Sequence, residues 1–201
     1  MGMDGRDTWL KQSTDGFSVD GGVRASHDDI ALRAATDADM DFLREVFSST
    51  RIQEFMSADL QIEQIESLLA SQFLTQHDYY RRHYPHGRFD IIMQGERNIG
   101  RLYHDWSGDV VRVIDIALLP AYRGAGIGTR LMRAMVAEAA AKHAPMQLYV
   151  ESNNPVRTLY RTLGFLPTGE NGIYELMRRD AMPFDEQEAQ VSIKGLSNHF
   201  Q

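Results

Sequence analysis

The residues best suited to chemistry lie in Pro120-Ala121-Tyr122-Arg123-Gly124-Ala125-Gly126-Ile127-Gly128-Thr129. Glycines at every second position let successive backbone N–H groups face one concavity, and a helix starting there adds its positive N-terminal end. Such a loop holds a phosphate or pyrophosphate, although the same glycines also serve a plain tight turn from strand to helix. A nucleotide-hydrolysing P-loop needs Gly-Lys-Ser/Thr, whereas Gly128 is followed by Thr129-Arg130. A dinucleotide loop wants glycines at positions one, three and six, and Gly124, Gly126 and Gly128 stand at one, three and five. Glu151 does sit where that fold puts a ribose-binding acid. Too little chain follows it to finish a doubly wound sheet, so a dinucleotide-dependent oxidoreductase is the weaker alternative.

The elements that must position this loop can be read on either side of it. Ile30 to Ala34 reads as a strand, and Thr36 with Asp39 forms a capping box ahead of the apolar positions Met40, Phe42, Leu43 and Phe47. Ile62, Ile65, Leu68, Leu69 and Phe73 keep helical spacing in a segment from about Asp59 to Tyr84, which Pro85 and Gly87 stop. Arg88 to Gln94, Asn98 to His104 and Val110 to Leu119 read as a three-strand meander turned at Gly95-Glu96-Arg97 and Ser107-Gly108-Asp109. The last of these is apolar on both faces apart from Arg112 and Asp115, as expected of a central strand covered on both sides. After the glycines come a helix to about His143, a strand Gln147 to Glu151, a helix Pro155 to Leu163, and strands near Phe165 to Thr168 and Ile173 to Arg178. The pattern predicts an α/β domain over residues 30–179 with a mixed sheet of six to seven strands. Residues 1–29 read as a disordered leader and 180–201 as a tail.

Composition bounds the function. The chain has 201 residues, 43% hydrophobic and 24% charged, which suits one soluble domain. A net charge of −7 argues against a general grip on nucleic acid or an anionic membrane surface. No cysteine is present, so disulfides, thiolate metal sites and a cysteine nucleophile are all excluded. With no long apolar run, a cytoplasmic location is expected. The interleaved Tyr79-Tyr80-Arg81-Arg82-His83-Tyr84-Pro85-His86-Gly87-Arg88 invites a nucleic-acid reading, but one short patch on an acidic chain reads better as a helix end with tyrosines packed inward. His83 and His86 lack a clear third metal ligand, and no metal is expected.

The segment Ile116 to Gly128, with Arg123, Gly126 and Gly128 in an Arg/Gln-x-x-Gly-x-Gly arrangement, resembles motif A of the GNAT superfamily of acyl-CoA-dependent N-acyltransferases. Val150 to Phe165, ending in Leu159-Tyr160-Arg161-Thr162-Leu163-Gly164-Phe165, resembles its motif B. The resemblance implies a GNAT-like, mostly antiparallel sheet flanked by about four helices, with acetyl-CoA as co-substrate. It implies that the backbone amides of Arg123, Gly124, Ala125, Gly126, Ile127, Gly128 and Thr129 hold the pyrophosphate. It also implies that backbone groups around Leu118 pair with the pantetheine arm as an added strand would. Asn154 before Pro155 reads independently as a helix N-cap. The family commonly has a cofactor-touching asparagine here; Asn153 fits the usual spacing to Tyr160, and Asn154 is the preferred candidate. Tyr160 corresponds to the tyrosine that serves as general acid toward the departing thiolate.

Acyl transfer to nitrogen needs the free amine, yet an alkylamine with a pKa of about 10.4 is almost wholly protonated at neutral pH. A proton acceptor is therefore expected. Asp115, set in an apolar strand and raised in pKa unless it is paired, and Glu151, at the mouth of the neighbouring strand, are the two candidates. The expected acceptor is a primary amine on a small molecule or peptide, the expected state a monomer or homodimer, and a non-catalytic acyl-CoA-binding module the alternative on the same fold.

Overall fold

A computed structural model describes residues 30–55 and 60–181. The leader at 1–29, most of the tail (182–201) and the expected start of the second helix at Asp59 lie outside the described residues. Strand β1 (Ile30–Ala34) leads through a single 3-10 turn into α1 (Met40–Phe55) and α2 (Ile62–His83). The meander β2 (Arg88–Gln94), β3 (Arg97–Asp105) and β4 (Val111–Leu118) follows, then α3 (Ile127–Ala141), β5 (Met146–Glu151), α4 (Arg157–Thr162), β6 (Leu166–Asn171) and β7 (Tyr174–Arg179). The seven strands form one sheet in the order β1-β2-β3-β4-β5-β7-β6. Every pairing is antiparallel except β4 with β5, which are parallel because α3 carries the chain across the sheet between them. The expected mixed α/β fold is the one observed.

Local chemistry fixes the entry to α1. The Asp39 carboxylate accepts from the Thr36 backbone N–H and hydroxyl at 2.8 and 3.0 Å and takes both guanidinium nitrogens of Arg33 at 2.6 and 2.8 Å. The Arg33 hydrogen bonds, helped by those from Thr36 and opposed by burial, hold this carboxyl far below the usual carboxylate range. Arg81, Arg82 and His83 occupy the last turn of α2, where cations complement the helix dipole, and Arg81 lies 4.4 Å over the Phe89 ring. Tyr80 and Tyr84 pack inward, whereas Tyr79 stays half exposed and stacks on His83 at 3.8 Å.

Each face of the sheet is packed by two helices. On one, Leu43, Phe47, Leu69 and Phe73 of α1 and α2 meet Phe89, Ile91 and Tyr103; on the other, Leu131, Met132 and Met135 of α3 and Tyr160 of α4 meet Ile99, Leu102, Val113 and Leu148. The central strand departs from expectation in one respect. Val111 and Val113 are buried, but from Ile114 to Leu118 β4 is only half buried. The reason lies in its pairing. β4 and β5 are joined only where Val111, Arg112 and Val113 face Met146, Gln147 and Leu148, and beyond that point the strands part. An extra residue at Ile114, a bulge against Tyr103 and His104 of β3, bends β4 where the parting begins.

Candidate functional site

The parting leaves a cleft of about 1430 Å³ that runs from the glycine loop between β4 and β5 to the faces of α1 and α2. Its direction is set by one peptide group. Leu119 N–H donates to the Ile99 carbonyl of β3 at 2.9 Å. Because the peptide unit is planar and trans, the Leu118 carbonyl must point the opposite way, into the gap that β5 has vacated. A stretch of β4 that β5 does not pair with therefore faces the cleft.

The loop beyond it is built for an anion. Gly124 and Gly126 both have φ of +78°, and Gly126 is the N-cap of α3, its carbonyl accepting from Arg130 N–H at 3.0 Å. The first amides of α3, at Ile127, Gly128 and Thr129, are those without an intrahelical acceptor. A side chain at Gly124, Gly126 or Gly128 would meet no protein atom within 4 Å, so the glycines border open space and not a packed neighbour. That open cradle beside unpaired amides fits a pyrophosphate. Ala125 is exposed, while the Ile127 side chain anchors the helix start in the core. Arg123 does not offer its amide to the loop as expected, because its N–H donates to the Pro120 carbonyl at 3.2 Å, and its side chain turns back, Nε to the Leu118 carbonyl at 2.8 Å and Nη2 to Ser49 of α1.

Across the cleft, Asn154 lines the wall and its Oδ1 accepts from Val156 N–H at 3.0 Å. This bond closes a turn ahead of the helix; the N-cap is Val156 and not Asn154 as expected, and regular helix begins at Arg157. The intervening residues form 3-10 turns from Arg157 N–H to the Asn154 carbonyl and from Thr158 N–H to the Pro155 carbonyl. Asn153 is exposed and does not line the cleft. Tyr160 is 6% exposed, packs edge-on against Phe165 and also lines the cleft. Burial, reinforced by the negative charge of Asp115, pushes its phenol up to about 12.

The two candidate proton acceptors differ in their partners. Asp115 is the paired carboxylate, not the unpaired one: Arg101 of β3, 3% exposed, donates from Nη2 to its Oδ2 at 2.6 Å and to Gln76 Oε1 at 3.0 Å. Glu151 ends β5 opposite Tyr174 and lies 3.4 Å from Arg51 Nη1, which is closer to Glu54, at 3.0 Å. Arg101 was not legible as a site residue, because it meets its carboxylate only through strand pairing and belongs to no local motif. The segment from Arg51 was expected near the substrate, but its contact with Glu151 was not legible, since it depends on how α1 lies across the sheet. A third pair, Arg157 with Glu175, is bidentate at 2.8 and 2.9 Å and fixes α4 to β7. Among the described residues no group of three or more His, Asp or Glu side chains could hold a metal ion, and no helix is long and apolar enough to cross a membrane.

The mixed sheet opens at its parallel pair, with the glycine loop at the opening. The profile of the acetyltransferase (GNAT) family matches residues 52–165, and the chain belongs to that family. Solved structures agree on the fold. The PaiA N-acetyltransferase from Thermoplasma acidophilum in complex with coenzyme A is 20% identical at a TM-score of 0.57, over 76% of this chain and 99% of that one. An acetyltransferase from Thermus thermophilus is 16% identical at 0.54, over 75% and 96%. The ribosomal-protein-S18-alanine N-acetyltransferase from Escherichia coli is 14% identical at 0.53, over 78% and 97%. No curated protein sequence matches.

Proposed function

We propose that the protein transfers an acetyl group from acetyl-CoA to a primary amine by direct attack of the amine on the thioester. One observation carries this reading: the Leu118 carbonyl, the open glycine cradle and Tyr160 all face the same cleft. The cofactor supplies an activated acetyl thioester; the rest falls to residues of this chain. The amides from Gly124 to Thr129 and the N-terminus of α3 bind the pyrophosphate, and the strand edge at Leu118 aligns the arm with its two amides. Asn154 borders the same passage. Tyr160, neutral because burial and the Asp115 charge raise its pKa to about 12, donates its proton to the departing thiolate.

Glu151 is the better proton acceptor of the two carboxylates. Asp115 is committed to a buried guanidinium at 2.6 Å, whereas Glu151 stands at the mouth, beside an arginine shared with Glu54, and can pass its proton to water. Asp115 then acts as a fixed negative charge that keeps the Tyr160 phenol protonated. Glu151→Gln should lower kcat/KM for the amine about a hundredfold with acetyl-CoA affinity retained. Asp115→Asn should lower it less.

Calorimetric titration with acetyl-CoA, CoA and NADH, followed by thiol release across a panel of amines and peptides, tests the whole reading. Binding of both CoA species but not NADH, with amine-dependent thiol release, is expected. Binding without turnover would make the chain an acyl-CoA-binding module, and competition by NADH would return the glycine loop to the dinucleotide reading.

A further inference from the structure

Arg123 stands where the glycine loop and α1 meet at the cleft. Its Nε donates to the Leu118 carbonyl at 2.8 Å, and its Nη2 donates to the carbonyl and hydroxyl oxygens of Ser49 at 3.1 and 2.8 Å. Ser49 lies in the C-terminal half of α1, and its own hydroxyl donates to the Val46 carbonyl at 2.7 Å. The next turn of the helix carries Arg51 and Glu54, and Arg51 reaches across to Glu151 on β5. The end of α1 is thus fastened at two points: at Ser49 to the glycine loop, and at Arg51 to the far side of the cleft.

The guanidinium is a planar, rigid fork, so Nε and Nη2 cannot move independently. Its Nε occupies the direction from which an added strand would pair with β4, since the Leu118 carbonyl points into the vacated gap. An amide N–H arriving there must share that oxygen with Arg123 or take it over. Where the amide takes the oxygen over, the fork shifts, and its other end rests on Ser49.

We propose that Arg123 is a positioning residue, which transmits occupation of the Leu118 edge through Ser49 to the end of α1 and so resets the Arg51–Glu151 contact on the far side of the cleft. The proposal rests on the acetyl-CoA reading above.

The test is amide hydrogen exchange of the full chain with and without saturating CoA, read over residues 46–55 and, as an internal control, over 126–130. In the wild type, CoA should change exchange in both segments, by at least threefold in 46–55. In Arg123→Ala the response at 126–130 should persist while that at 46–55 disappears, and Ser49→Ala should reduce it. A purely structural role would raise exchange in 46–55 equally with and without CoA and keep the CoA-dependent difference, which overturns the proposal. So does a wild-type protein that binds CoA by calorimetry with 46–55 unchanged. Absence of CoA binding by the wild type defeats the acetyl-CoA reading and this proposal together, so the calorimetry tells the two failures apart.

Discussion

A phenol held near a pKa of about 12 by burial and by the charge of Asp115 stays protonated throughout the neutral range, so its O–H is in place as the donor toward a departing thiolate. Tyr160→Phe keeps the ring and its contact with Phe165 and removes only that proton. Turnover should fall about a hundredfold, while the acetyl-CoA dissociation constant measured by calorimetry stays within about twofold, because the cradle and the strand edge are untouched. Equal losses in turnover and affinity would instead make the hydroxyl a binding group. A second residue-scale prediction lies away from the cleft. Trp106 Nε1 donates to His104 Nδ1 at 2.7 Å, so the other ring nitrogen carries the proton that faces buried Asp90 at 3.1 Å. Trp106→Phe leaves that Nδ1 without its donor and should cost about 1 to 3 kcal/mol in urea denaturation. Tyr160 was legible because a local pattern, Leu-Tyr-x-x-x-Gly-Phe, carries it. Arg101 was not, because nothing near it in sequence announces that β3 will lay it against Asp115, fourteen residues later.

At the scale of elements, alternation, glycine turns and capping marked nearly every helix and strand to within a few residues. The two-residue turn at Gly95 and Glu96, with Gly95 at φ +58°, is shorter than the three-residue turn expected, and β3 accordingly begins at Arg97. The parting of β4 from β5 could not be read, since it depends on how far two strands stay paired and not on what either contains. The glycines divide by what surrounds them. Gly100 lies opposite Leu118, where an added Cβ would come within 2.3 Å of the Ala117 carbonyl. Gly100→Ala should therefore push β4 outward, cost about 1 to 3 kcal/mol and weaken acetyl-CoA binding through the displaced edge. Gly128 lies inside α3 without positive φ, and its added methyl would enter open space. Gly128→Ala should raise the urea midpoint through helix propensity, by up to about 1 kcal/mol, and still lower CoA affinity at least tenfold by filling the cradle. Stabilisation with unchanged affinity would remove the cradle from the site.

Among the described residues the fold pairs Asp39 with Arg33, Asp115 with Arg101 and Glu175 with Arg157, and buried Asp105 accepts from the Ser107 amide. Its buried phenols are the exception, and they expose the fold to alkali. Burial pushes Tyr103 up to about 12 against the opposing pull of Arg101, pushes Tyr160 to about 12, and drives Tyr80 higher still. In the unfolded chain a tyrosine titrates near a pKa of about 10. Between these values the folded state binds more protons than the unfolded state, so stability is fully present below about pH 10 and falls as pH rises through about 12. Each of the two phenols at about 12 should withdraw on the order of 2 kcal/mol across that window. Urea midpoints measured at pH 8, 10 and 11 should decline over the last interval, and Tyr103→Phe, which sits under α2 away from the glycine loop, should flatten the decline. An unaltered slope in that variant would show that the Tyr103 phenol ionises as readily in the folded chain as in the unfolded one, which its burial between β3 and α2 argues against.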